Sequence, residues 1–154
     1  MTVLVPKESD EITLRFFTDD RDRFGGFRIQ MRQFDDHSIC PSRENAISNS
    51  NDFIMGSTES CQKAIYDQKQ LQIISPGYHL GYYKPFLHCD YVIQKYNYNI
   101  CLLEVKFNTF ALEESKLCHK DYIQIGDDGV RLCGKLPYGS ISKLIKLHKI
   151  CKIC

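Results

Sequence analysis

Charge of one sign is the first thing this sequence lacks. Its 20 lysines and arginines stand against 19 aspartates and glutamates, a formal net charge of +1, so no global field favours nucleic acid or an anionic membrane. Partners must therefore be recognised by local sites. No apolar run approaches the roughly 20 residues of a membrane-spanning helix, and the chain reads as soluble. Residues 1–10 include Lys7, Glu8, Ser9 and Asp10 and lack the apolar core of a secretory signal. Either a signal lies upstream of this stretch or the protein is not secreted. No Asn-x-Ser/Thr acceptor occurs, so no N-glycan is expected. Catalytic signatures are also missing: there is no His-Glu-x-x-His, no phosphate-cradling glycine loop and no dinucleotide fingerprint. Gly126-Asp127-Asp128-Gly129 has the glycines of a protease nucleophile loop but no serine. His37, His79, His88, His119 and His148 are scattered singly, as surface or core histidines usually are. The expectation is a chain without catalytic activity.

Eight cysteines are present, a density that suits an oxidising compartment better than the cytosol. Cys61, Cys89, Cys118 and Cys133 bracket alternating patterns and do not form paired CxxC knuckles. At 154 residues the chain is long enough for one β-sandwich core, not two.

Strand patterns recur along the chain. Ile12, Leu14 and Phe16 alternate with Thr13, Arg15 and Phe17, and after Gly25-Gly26 the residues Phe27, Ile29 and Met31 alternate with Arg28, Gln30 and Arg32. The charged, turn-forming residues 18–23 between them read as a loop joining two antiparallel strands. Such a pair is marginal in water by itself. Residues 36–60 turn to Ser, Asn, Asp and Glu without periodicity and read as a linker. Strands return at residues 71–74, 90–94, 101–107 and 122–125. Several short strands separated by turn signals predict an all-β fold, an antiparallel β-sandwich. The basic segment 140–154, with Lys143, Lys146, Lys149 and Lys152 among Leu144, Ile145, Leu147, Ile150 and Ile153, reads as a helical or disordered tail.

The ordered series Cys61, Ser75-Pro76-Gly77-Tyr78, Cys89, Phe107, Phe110-Ala111-Leu112-Glu113, Cys118, Asp121-Tyr122 and Leu132-Cys133-Gly134 resembles a CUB domain. The resemblance implies an extracellular, jelly-roll type sandwich that binds other proteins. Residues 61–139 cover it, but the family's last two strands, whose joining loop carries an Asp and which end in Gly-Phe, are missing after Gly134. Residues 1–35 resemble that missing element, with Asp19 ahead of Gly26-Phe27, and are similar to the end of a preceding CUB domain. An open sandwich leaves a sheet edge unpaired and an apolar face wet. The early pair is therefore expected to dock in permuted order, across a linker that spans on the order of 25 to 30 Å as a coil.

The resemblance further implies disulfides Cys61–Cys89 and Cys118–Cys133, each contributing about 3 kcal/mol by closing its loop. Cys40 and Cys101 are left to pair or stay free, and Cys101, on an apolar face, reads equally as a buried thiol. In calcium-binding members of the family a Tyr, a Glu and two Asp converge at one end of the sandwich. The matching positions are Tyr82, Glu113, Asp121 and Asp19, an oxygen-rich set that suits calcium. Arg21 replaces the family's small hydroxyl residue, and its guanidinium is close enough to neutralise Asp19 or Asp20 in place of the ion. The implied partner is a protein that offers a lysine to the calcium rim, with Tyr78, Tyr82, Tyr83, Phe86 and Tyr91 as candidate contact aromatics. His148-x-x-Cys151-x-x-Cys154 has zinc-like spacing but too few ligands for a closed site. The functional expectation is a non-catalytic extracellular interaction module. The alternatives are an accessory region of a larger secreted protease and a truncated gene product with no role of its own.

Overall fold

A computed structural model describes residues 2–3, 10–35, 54–56, 64–97, 100–127, 129–137 and 141–146. The strands are numbered along the chain and form two sheets. One runs β1 (Thr2–Val3), β12 (Ile141–Lys146), β8 (Ile100–Ala111), β3 (Gly26–Asp35), β6 (Gln70–Ile74), β4 (Ile54–Gly56), with β11 (Lys135–Leu136) also on β8. The other runs β10 (Arg131–Leu132), β9 (Tyr122–Ile125), β2 (Glu11–Phe17), β7 (His88–Gln94), β5 (Ala64–Tyr66). Pairing is antiparallel except for the short strands β1, β4 and β5. The chain is thus an all-β sandwich.

The core is what the alternation predicts. Ile12, Leu14 and Phe16 of β2 and Phe27, Ile29 and Met31 of β3 are buried between the sheets. Phe16 meets Phe27 edge to face at 4.9 Å, which joins one sheet to the other. The two strands are not partners, however. β2 lies between β7 and β9, and β3 lies between β8 and β6. The loop after β2 therefore crosses between sheets where a hairpin was expected. The reason is that both strands bury one full face, and a face can be covered only by the opposite sheet. Gly26 opens β3 with φ +87°, and a Cβ there would fall 2.0 Å from Ser75 Oγ. Only glycine fits, because that Oγ accepts the Phe27 N–H at 3.0 Å.

In β8 the register to β3 shifts between Arg28/Ile29. One extra residue there changes the inward set from Leu103, Val105 and Phe107 to Phe110 and Leu112. The expected helical or disordered tail is corrected by β12, which pairs with β8 from Ile141↔Phe107 to Lys146↔Leu102. Without β12 that side of β8 would be an open edge over this span, and tertiary pairing overrides a weak local pattern. Inside the stretch read as linker, Ile54–Gly56 forms β4. The rest of residues 36–60 lies outside the described residues, as do Cys40, Cys61, Asp128, His148, Cys151 and Cys154.

Cys118 and Cys133 form a disulfide. Cys89 and Cys101 are disulfide-bonded as well, which replaces the buried-thiol reading of Cys101. The partner expected for Cys89, Cys61, lies outside the described residues.

Candidate functional site

At the end of the sandwich where β2 and β8 finish and β9 begins, three loops meet. Thr18 is buried and binds the first to the second. Its N–H donates to Leu87 O at 3.0 Å, its hydroxyl donates to Lys84 O at 3.0 Å, and that hydroxyl accepts the Leu87 N–H at 2.8 Å. The next residue is Asp19. Its carbonyl accepts the Phe86 N–H at 3.0 Å, and its Oδ1 accepts the Arg21 N–H at 2.9 Å. The backbone thus fixes Asp19 from both sides.

Asp121, just before β9, has no solvent exposure. Its Oδ1 accepts the Asp19 N–H at 2.9 Å and its Oδ2 accepts the hydroxyl of Tyr83. Burial pushes the Asp121 carboxyl above its usual range, and these two hydrogen bonds pull the other way. Tyr83 is buried too, and its oxygen also accepts the Glu113 N–H at 3.1 Å. Burial, then the bond to Asp121, holds the phenol in its neutral form well above the ordinary tyrosine value. One hydroxyl therefore couples the segment after β8 to the start of β9.

Glu113 follows β8 with a side chain only 6% exposed. Its Oε1 is paired with the Lys120 ammonium, and its Oε2 is buried with no hydrogen-bond partner. Asp19, Glu113 and Asp121 each offer an oxygen, and these oxygens lie within 4.8 Å of one another. Carboxylates this close repel one another, and a bound cation or a proton on one of them relieves the repulsion. Three carboxylates with no sulfur or imidazole suit a hard ion with six to eight oxygen ligands, such as calcium. The orphaned Glu113 oxygen is the kind of group an ion would satisfy.

Of the sequence-derived set, the structure brings Asp19, Glu113 and Asp121 together. Tyr82 is 42% exposed and carries the Arg23 guanidinium over its ring at 5.6 Å. The hydroxyl that reaches the carboxylates belongs to its neighbour, Tyr83. The Arg21 guanidinium does not reach Asp19. Its Nε lies 3.8 Å from Asp20, and both side chains are exposed. The cation that enters the cluster is Lys120, the residue before Asp121. Among the aromatics weighed as contact residues, Tyr83 and Tyr91 are core and Tyr78 is half-buried, bonded to the Thr109 hydroxyl at 2.9 Å. Tyr82 and Phe86 reach solvent, Phe86 at 76% exposure. Leu117, in the turn before Cys118, is 86% exposed. Phe86 and Leu117 both have positive φ, 58° and 55°, an uncommon conformation for bulky side chains that concentrates at binding sites.

Among the described residues, no helix is long and apolar enough to cross a membrane. No curated protein and no solved structure matches the chain. A CUB domain model matches residues 61–143, more than half of its 154 residues. With that match laid over a two-sheet sandwich, the chain belongs to the CUB domain family.

Proposed function

We propose that the chain is a non-catalytic extracellular protein-interaction module whose binding rim is organised by a calcium ion held by Asp19, Glu113 and Asp121. CUB domains are in general extracellular, non-catalytic binding modules. The observation that carries the calcium reading is the buried, unpartnered Oε2 of Glu113 beside two further carboxylates, Asp121 at the far end of the same β8–β9 connection and Asp19 from the loop after β2. Calcium bound there would fix the β2–β3 loop against both ends of the β8–β9 connection and present a rigid acidic rim. Tyr83 would orient Asp121, and Tyr82 would stand at the edge. An acidic rim flanked by the exposed Phe86, Leu117 and Tyr82 suits a partner segment that offers a lysine among apolar residues. Such contacts are charge-assisted, modest singly and stronger when several modules act together. The disulfide-bonded state of Cys89, Cys101, Cys118 and Cys133 supports an oxidising compartment.

The ion site takes Asp19 from a segment that precedes the matched region. β2 and β3 lie before residue 61, yet each is an interior strand of its sheet. We read residues 1–35 as the terminal CUB strand pair set at the front of the chain, followed by a linker over 36–60, the matched domain, and the basic segment 140–154. Calorimetric titration tests the ion. The wild type is expected to show binding heat with calcium in the millimolar range typical of extracellular modules, and Glu113→Ala none. A wild type silent at millimolar calcium would end the proposal.

A further inference from the structure

We infer that Lys120 is the built-in counter-cation of the Asp19–Glu113–Asp121 cluster, and that a divalent ion binds there by displacing it. This rests on the reading of the cluster as a calcium site.

Lys120 Nζ is bonded to Glu113 Oε1, so the only cation in contact with Glu113 among the described residues comes from the same short segment that delivers Asp121. Its backbone is held in place: the Lys120 N–H donates to Ser115 Oγ at 3.2 Å, and the Cys118–Cys133 bridge ties this segment to the turn between β10 and β11. The side chain, in contrast, is about a third exposed, so its tip has an open route to water.

One ammonium is an incomplete answer to this cluster. It leaves two of three negative charges uncompensated and leaves Glu113 Oε2 buried and unpartnered. A divalent ion would answer both, but not with the ammonium still in place. The ligand oxygens span less than 4.8 Å, so the two cations would sit within a few ångströms of each other and repel. Lys120 thus keeps the rim assembled without the ion and weakens the ion's affinity. When calcium enters, the freed lysine moves to the rim surface, so the ion changes the surface charge pattern as well as its rigidity.

Two measurements on the full chain, with Lys120→Met and Lys120→Arg, test this. In calorimetric titration K120M is expected to bind calcium at least ~10-fold more tightly than wild type, and K120R to stay close to wild type. In EDTA, K120M is expected to melt below wild type because Glu113 keeps a buried charge without its counter-ion, and adding Glu113→Gln is expected to reverse the loss. Equal calcium affinities for K120M and wild type would overturn displacement. Equal melting temperatures in EDTA would overturn the counter-cation role whether or not calcium binds. If neither protein binds calcium at millimolar concentration, the ion reading fails and displacement with it, and the EDTA melts still report on Lys120 alone.

Discussion

Gln33 and Asp121 are both buried polar side chains at opposite ends of the sandwich, and their surroundings treat them differently. Gln33, on β3, donates its amide to Gln68 O at 3.2 Å and Gln94 O at 2.7 Å, and its Oε1 accepts the Tyr96 N–H at 2.7 Å. A neutral group with matched partners on both sides stitches two loops to the sheet and needs nothing further. At the other end, Asp121 has its hydrogen bonds but sits among like charges, and Glu113 beside it keeps an unpartnered oxygen. Polar burial at the first end is fully partnered, and at the second it leaves the oxygen on which the proposed ion site rests. Satisfaction, not burial, separates a brace from a candidate site.

The largest effect is expected from removing what both ends share. β3 carries Gln33, and Asp19 follows β2 by two residues, so both ends hang on residues 10–35. Ile12, Leu14, Phe16, Phe27, Ile29 and Met31 are buried and contribute about 1.5–3 kcal/mol each, together as much as a domain's whole net stability of about 5–15 kcal/mol. A chain that starts at residue 36 is expected to show no cooperative thermal transition. Conversely, a protease site inserted between residues 41 and 52 and then cut should leave the two pieces co-migrating on size exclusion until denaturant is added. Pieces that separate freely in native buffer would show that the pair is not part of the sandwich.

The next largest effect should fall on the satisfied end alone. Gln33→Ala removes three part-buried hydrogen bonds, each with a net worth of about 1 kcal/mol, so a loss of about 3 kcal/mol is expected in urea unfolding. Calcium affinity in the same variant should equal that of wild type. A change in affinity would mean that the two ends are coupled through β3 and are not separate.

Much of this was legible in the sequence, and the limits have physical causes. The strands Glu11–Phe17, Gly26–Asp35, Gln70–Ile74, His88–Gln94, Ile100–Ala111 and Tyr122–Ile125 announce themselves because each buries one face and so alternates. Strand pairing does not follow from alternation, which is why β2 and β3 read as a hairpin although they lie in different sheets. β12 was hidden because Leu144-Ile145 interrupts the period, and because its reason for being a strand is β8, far away in sequence. Asp19, Glu113 and Asp121 were found through the family resemblance, since no local spacing joins residues about 100 positions apart. Lys120 was not found. A cation was sought at Arg21, two residues from Asp19, but loop geometry turns that guanidinium toward Asp20 and brings in a lysine from the opposite side.

The smallest effect, and the finest distinction, concerns the adjacent tyrosines. Tyr82 is exposed and Tyr83 buried, so an error of one position exchanges a buried group for an exposed one. Tyr83→Phe removes the donor to Asp121 and the acceptor for Glu113 N–H. It is expected to cost about 1–3 kcal/mol and to weaken calcium binding several-fold by releasing Asp121. Tyr82→Phe keeps the ring beneath Arg23 and loses only an exposed hydroxyl, so its stability should stay within about 0.5 kcal/mol of wild type with calcium affinity unchanged. Thermal melts and calcium titrations of the two variants side by side decide which tyrosine serves the site. The reverse ranking would place Tyr82 among the ligands and make Tyr83 a core residue.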